Sequence, residues 1–218
     1  MKRKILSVCT GFLTALCIIS GSIALPILIR PFYYAHITPL KLELISGKTY
    51  SQIVSAYNEM LDYCMGLTNE FSLGEFAFSA EGAAHFKDVR VLFILDLLVF
   101  FITALILIAI FVTLKIKGKG LYKFKGRSPL FFASLFVLGL FAAIGILASV
   151  DFTAAFEVFH KIFFAGKTNW TFNIYTDPII LVLPEQFFSN CAIFILLNLI
   201  VSCATLIIMD LIKKNPKK

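Results

Sequence analysis

The chain has 218 residues, of which 59% are hydrophobic and 15% aromatic, and it carries a formal net charge of +7. Soluble domains are roughly 45–50% apolar, so this composition excludes an ordinary soluble protein of this size. The basic residues form short clusters beside apolar stretches, which suits contact with anionic lipid headgroups better than binding of nucleic acid. We therefore expect membrane lipids and no nucleic acid among the partners.

Four apolar stretches are long enough to cross a bilayer, whose core of about 30 Å requires roughly 20 apolar residues of helix. They are residues 5–28, 91–114, 130–150 and 187–209. The first follows three basic residues, but it is longer than the roughly 7–15 apolar residues of a signal peptide, so we expect it to be retained. The chain is predicted to contain a bundle of four transmembrane helices.

The positions of lysine and arginine predict the orientation of this bundle. Basic residues precede the first span and are concentrated in the loop of residues 115–129 and the tail of residues 210–218. Because cytoplasmic loops carry an excess of lysine and arginine, we expect both termini and this loop in the cytoplasm. The two remaining segments, residues 29–90 and 151–186, are then extracytoplasmic.

The first outer segment shows several local patterns. It opens with three aromatic residues that suit a membrane interface: Phe32, Tyr33 and Tyr34. Alternating apolar residues at Leu40, Leu42 and Leu44 predict a short strand, and residues 50–65 have helical apolar spacing. Ser79 is a predicted N-cap of a helix that runs into the second span. Together the two outer segments are predicted to form a small mixed α/β extracytoplasmic domain.

The predicted helix after Ser79 places an imidazole among carboxylates. Glu81 and Asp88 lie four residues before and three residues after His85, so all three share one helix face. A carboxylate beside an imidazole favours its protonated form, as a general base requires. The alternative is that Asp88 only holds His85 in a structural pair. Asp96 returns to this face inside the span, where a carboxylate indicates a polar interior or a structural partner.

The second outer segment places another histidine on an amphipathic helix. His160 shares one predicted face with Phe156, Glu157, Phe163 and Phe164. Aromatic residues further on, including Trp170, suit the interface. Asp177 and the following proline predict a turn before a short apolar run that is too short to span.

The remaining cysteine and histidine residues offer no further chemistry. Four of the five cysteines lie in the apolar stretches, and Cys64 alone lies outside them. A small buried residue is the better interpretation of Cys64 than a nucleophile, and His36 is interpreted as structural. The spacing of Cys and His fits no metal site, so neither a metal nor a cofactor is expected.

Two segments carry a resemblance to a known family. The stretch FSAEGAAHFKDVRVLF (78–93) and the stretch FEVFHKIFFAGKTNWTFNIYTDPIILVLPEQFF (156–188) each set a histidine in a distinctive context. In these motifs, and in the four-span layout of the whole chain, the protein resembles the bacterial lipoprotein intramolecular transacylases. It departs from that family at Gly82 and Ala83, where more polar and stronger helix-forming residues are expected.

The resemblance implies an acyltransferase of the bacterial cytoplasmic membrane. Such enzymes convert diacylated lipoproteins to the lyso form by moving the sn-2 acyl chain to the α-amino group of the N-terminal lipidated cysteine. That amine must lose a proton to attack, which calls for a base at the outer membrane surface. We expect His85 to be this base, oriented by Asp88 or Glu81, and His160 to be a second acid or an oxyanion donor. Substrate contacts are assigned to Trp170, Phe163 and Asp177.

Two other functional classes fit the same residues. The chain could be a non-enzymatic membrane protein whose outer domain binds a partner, with both histidines in structural pairs. It could also be another kind of lipid-active enzyme. Mass spectrometry of lipoprotein N-terminal peptides, with and without the protein, separates these classes from a transacylase.

Overall fold

The structure, a computed structural model, describes residues 1–214, and this part of the chain is helical. Part of the predicted basic tail, residues 215–218, lies outside the described residues. The helices are α1 (Lys2–Leu28), α2 (Arg30–Ile37), α3 (Leu42–Ser46), α4 (Tyr50–Cys64), α5 (Ala80–Ile116), α6 (Pro129–Val150), α7 (Phe152–Phe163) and α8 (Glu185–Lys214). A short 3₁₀ helix, Pro178–Leu181, lies between α7 and α8.

Four of these helices are long and apolar enough to cross a membrane. They are Lys2–Leu28, Ala80–Ile116, Pro129–Val150 and Glu185–Ile212, and each contains one of the predicted apolar stretches. At about 1.5 Å per residue the 37 residues of α5 extend roughly 55 Å, well beyond a bilayer core of about 30 Å. The first turns of α5, which carry Glu81, His85 and Asp88, therefore lie outside the apolar span of residues 91–114.

The predicted strand is wrong. Residues 42–46 form the short helix α3, whose turns are closed by local hydrogen bonds from Ile45 N to Lys41 O (3.0 Å) and from Gly47 N to Glu43 O (2.9 Å). Within residues 1–214 no β-strand is present, and one isolated bridge joins Phe124 and Arg127. A strand needs a partner for its backbone groups, and the described chain supplies none. The mixed α/β fold predicted for residues 29–90 and 151–186 is therefore wrong, and the regular elements described in these two segments are helices.

The amphipathic helix predicted over residues 50–65 is present as α4. Thr49 begins it with a capping box, in which the Thr49 side chain and the Gln52 side chain each accept a hydrogen bond from the other residue's backbone. Its buried face contains the six apolar residues that recur at helical spacing in this range: Ile53, Ala56, Tyr57, Met60, Leu61 and Cys64. Helical periodicity alone was enough to identify the side that packs.

One compact unit is formed by residues 1–24, 96–146 and the described part of 194–218. Its core brings together α1, α6 and α8 through five buried residues: Ala15, Ala133, Val137, Leu199 and Cys203. The basic loop between α5 and α6 is held by hydrogen bonds from Arg3 Nε to Gly120 O (2.8 Å) and from Ser128 N to Asp210 Oδ1 (2.9 Å). The loop is therefore part of the folded unit.

The other compact unit is formed by residues 25–95 and 147–193. Its core includes Tyr33, which is fully buried, stacks on Tyr57 at 3.8 Å between ring centroids and donates a hydrogen bond to Val182 O at 2.7 Å. Tyr33 therefore packs inside the protein and does not expose its ring as an interfacial anchor would. Its hydroxyl group finds a carbonyl partner inside the protein, which removes the penalty of burying it.

Candidate active site

The start of α5 is fixed by an acidic residue from far along the chain. Ser79 caps the helix as predicted, because its Oγ accepts a hydrogen bond from Gly82 N at 2.9 Å. Asp177 Oδ1 accepts a hydrogen bond from Ser79 N at 2.8 Å. Burial raises the pKa of Asp177, but hydrogen bonds from Ser79 and Thr176 outweigh it and hold the pKa below its usual value.

Gly82 is explained by the same contact. A Cβ atom at this position would lie 2.1 Å from Asp177 Oδ1 and 3.3 Å from a Phe172 ring carbon. Any side chain would displace the carboxylate that holds the helix start. Glycine lowers the intrinsic stability of a helix, but at position 82 its lack of a side chain lets the Asp177 carboxylate approach the start of α5.

The two predicted catalytic histidines lie together. His85 is in the second turn of α5 and His160 is near the end of α7, and their ring centroids are 6.0 Å apart with the planes inclined by 28°. Only 5% of His85 and 8% of His160 is exposed. The sequence identified both residues but gave no indication that they stack as a pair.

Aromatic rings surround this histidine pair. The centroid of the His85 ring lies 4.8 Å from that of Phe164 and 5.4 Å from that of Phe172. The neighbours of His160, with centroid distances of 4.3–5.6 Å, are Phe156, Phe159, Phe164 and Trp170. The pair therefore lies in an apolar environment within its own compact unit, where polar interactions are stronger than in water.

The hydrogen bonds of the two rings differ. His160 Nδ1 lies 2.8 Å from Phe156 O, and since a carbonyl only accepts, Nδ1 carries the proton. His85 Nδ1 is buried and has no hydrogen-bond partner among residues 1–214. Burial is the main reason that the pKa of His85 falls to about 4, and a positive charge on His160 lowers it further while Asp88 opposes the shift.

The carboxylates predicted to orient the histidines form no hydrogen bond or ion pair with them within the described chain. Asp88 accepts hydrogen bonds from Lys167 Nζ at 2.5 Å and from Asn169 Nδ2 at 3.1 Å. These bonds, together with the charge of Lys167, hold the pKa of Asp88 below its ordinary value although burial raises it. The direct effect of Asp88 on His85 is therefore that of a nearby charge and not of a hydrogen bond.

Glu81 and Glu157 also lie apart from the imidazoles. Glu81 is exposed and lines a polar groove with residues of the loop after α7: Gly166, Lys167, Thr168, Asn169 and Thr171. Glu157 forms an ion pair with Lys161 one turn later, at 3.0 Å. Helical spacing places each carboxylate on the same helix face as a histidine. Spacing does not determine which neighbouring side chain the carboxylate bonds.

The residues assigned to substrate contact have different surroundings. Trp170 lies 5.0 Å from His160 between ring centroids, and its Nε1 donates a hydrogen bond to Lys167 O at 3.0 Å. Phe163 is 53% exposed, whereas Asp177 is buried at the start of α5. Trp170 is thus the one of the three that touches the histidine pair.

Two further predictions concern groups outside the histidine pair. Cys64 is buried, as predicted, and burial raises the pKa of its thiol to about 12, so it is a poor nucleophile. Asp96 belongs to the other compact unit, where its Oδ2 is buried without a hydrogen-bond partner in the described chain.

Sequence reasoning missed three residues beside the site. Lys167 and Asn169 bond Asp88, and Phe172 packs beside His85. These contacts join positions about 80 residues apart, so no local pattern contains them.

These features define a class of protein: a polytopic membrane protein with a buried pair of acid–base groups enclosed by aromatic rings. A family model for the lipoprotein intramolecular transacylase Lit matches residues 8–188. The chain belongs to this family. It is an acyltransferase, a lipoprotein intramolecular transacylase, and its substrates are lipoproteins.

Solved structures agree with this assignment at the level of the fold. The in meso structure of the membrane-integral lipoprotein intramolecular transacylase Lit from Bacillus cereus is 23% identical, with a TM-score of 0.85 over 99% of both chains. Structures of a histidine-to-arginine and a histidine-to-alanine variant of that protein are also 23% identical, each with a TM-score of 0.78. The arginine variant covers 98% of this chain and 94% of its own, and the alanine variant 99% and 96%. None of the curated protein sequences compared with this chain matches it.

Proposed function

We propose that the paired histidines move the sn-2 acyl chain of a diacylglyceryl-cysteine to the α-amino group of the same cysteine. The observation that carries this proposal is the 6.0 Å pair of buried imidazoles enclosed by aromatic rings. Because ester and amine belong to one molecule, an enclosed site that folds them together can supply much of the rate through proximity. Neither a serine nor a cysteine nucleophile is then needed.

His85 is proposed as the base. Its lowered pKa leaves the imidazole unprotonated at neutral pH. It can therefore accept the proton that the amine nitrogen loses as the new nitrogen–carbon bond forms. Asp88 stabilises the resulting imidazolium through its charge. Glu81 is proposed to contribute only from the polar groove that it lines, because it makes no hydrogen bond to the imidazole.

His160 is proposed as the acid. Its Nδ1 proton is committed to Phe156 O, so Nε2 can donate only when the ring is an imidazolium. In that form it stabilises the oxyanion and protonates the glyceryl oxygen as the carbon–oxygen bond breaks. Repulsion between two imidazolium rings opposes a second positive charge on the pair, so a charged His160 keeps His85 neutral and able to act as the base.

The substrate contacts follow from the surroundings of the pair. Trp170 borders His160, and the exposed ring of Phe163 extends the apolar surface of α7. Both are proposed to contact the acyl chains. Asp177 is proposed to shape the site indirectly, because it holds the start of the helix that carries His85.

The proposed orientation has the histidine pair on the outer side of the cytoplasmic membrane, with both termini and the loop of residues 115–129 in the cytoplasm. The supporting observation is the concentration of basic residues in these segments. In variants with a single cysteine, we expect a membrane-impermeant maleimide to label position 70 in whole cells and to label position 119 only after the membrane is opened. Labelling of position 119 in intact cells would reverse the orientation.

The reaction itself is tested with a labelled substrate. A lipopeptide that carries a deuterated sn-2 chain is mixed with an unlabelled lipopeptide of different peptide mass, and the purified enzyme is added in detergent. We expect each N-acylated product to keep the label of its own substrate, because the transfer is intramolecular. Exchange of label between the peptides, or free fatty acid as the main product, would contradict the proposed reaction.

A further inference from the structure

One loop supplies much of the cover over the histidine pair. Residues 164–177 connect the end of α7 to the 3₁₀ helix, and they contribute Phe164 and Phe172 beside His85. The same loop contributes Trp170 beside His160. The enclosure of the site therefore depends on where this loop lies.

The loop is attached to α5 at two places. Its last residue, Asp177, accepts the hydrogen bond from Ser79 N. Its middle is attached by Lys167 and Asn169, which both donate to Asp88, 79 and 81 positions earlier in the chain. The Asp88 side chain is 22% exposed and that of Lys167 49%, so this ion pair is partly shielded from solvent, where it is stronger than at an open surface.

The loop position seen in the structure leaves two polar atoms unpaired. Asn169 Oδ1 and His85 Nδ1 are both buried without hydrogen-bond partners in the described chain. Burial of an unpaired polar atom destabilises a conformation, and such local instability is typical of segments that open to admit ligands. The bonds to Asp88 offset this cost, so their loss should favour movement of the loop away from the pair.

We propose that Lys167 is a positioning residue of the transacylase, which acts through Asp88 to hold residues 164–177 closed over the histidine pair during the reaction. Asn169 supports it through the second carboxylate oxygen. The catalytic part of this inference rests on the proposed function. Asp88 then contributes to the reaction mainly by holding the loop, and its charge on His85 is a smaller effect.

The first test removes the ammonium group. Lys167→Met keeps most of the apolar stem and should lower kcat about tenfold, a modest share of what misplaced reacting groups cost. Lys161→Met is the matched control, because Lys161 makes an exposed pair with Glu157 on α7 and contacts no part of the loop ion pair. Lys167→Arg, which retains the charge, should keep most of the activity.

Trp170 provides a direct readout of loop position, since it is the single tryptophan of the chain. In Lys167→Met we expect its emission to shift to longer wavelength and acrylamide to quench it more strongly, with no such change in Lys161→Met. Fluorescence reports on the loop even if the wild type fails to move an acyl chain, so the two hypotheses fail separately. Unchanged fluorescence and activity in Lys167→Met would refute the positioning role.

A charge exchange separates the loop from a direct effect on His85. Asp88→Asn alone should reproduce both changes of Lys167→Met, whereas Asp88→Lys combined with Lys167→Asp should restore the emission and much of kcat. If Asp88 acted only through its charge on His85, the exchanged pair would be less active than Asp88→Asn, because a lysine would then stand near the imidazole. That result would overturn the inference.

Discussion

His85→Ala should abolish formation of the lyso-form lipoprotein. Loss of a general base lowers rates by about 10² to 10⁴, and the described chain offers no second unpartnered imidazole to replace it. The measurement is mass spectrometry of N-terminal lipopeptides from a host that lacks the activity. Because the ring is 5% exposed among aromatic neighbours, alanine also leaves a cavity, and the melting temperature should fall modestly.

Two companion variants separate catalysis from folding. His85→Gln retains more of the side-chain volume and should be as inactive as His85→Ala, with a melting temperature nearer that of the wild type. His36→Ala is the matched control, because His36 Nδ1 bonds Phe32 O of its own helix at 2.6 Å and its ring packs against Phe187 and not against the pair. Full activity in a normally expressed His85→Gln variant would refute the assignment of the base.

His160→Ala should lower the rate by about 10² to 10³, the cost of removing one oxyanion donor in a well-studied protease. The same substitution should also change the pKa of His85. Loss of the positive charge on His160 removes one cause of the low pKa of His85, so the pKa of His85 should rise in this variant. The rate is measured with the purified enzyme and a synthetic lipopeptide, and the pKa by histidine NMR in detergent.

Glu157→Gln is the control for this second prediction. Glu157 lies on the same helix, three residues before His160, and is paired with Lys161 rather than with the imidazole. It should therefore keep wild-type activity. Equal activities of His160→Ala and Glu157→Gln would remove His160 from the mechanism.

Most of the architecture could be predicted because its signals are long. Four runs of about 20 apolar residues have few alternatives to a membrane span, and α4 shows its buried face over four turns. The strand prediction failed because alternation over five residues is short enough to fit one turn of helix as well. Leu42 is buried in α3 by contacts that the local pattern does not contain.

The site could be predicted only in part, for a similar reason. The histidines and their carboxylate neighbours follow from spacing along single helices. The contacts that these side chains make in the folded protein involve residues distant in sequence. Asp88 pairs with Lys167, and His85 stacks beside His160. Gly82 is the clearest case, since its reason is a carboxylate at Asp177 that no local rule of helix formation includes.

The ring of aromatic side chains around the histidine pair has a consequence for the fate of the acyl group. An acyl ester beside a base can react with water as well as with an amine, and hydrolysis would release a fatty acid and leave the lipoprotein with one chain. Phe164, Phe172 and Trp170 limit the space for solvent around the imidazoles. The ratio of aminolysis to hydrolysis therefore depends on these rings, and smaller residues there should turn the transacylase towards an esterase.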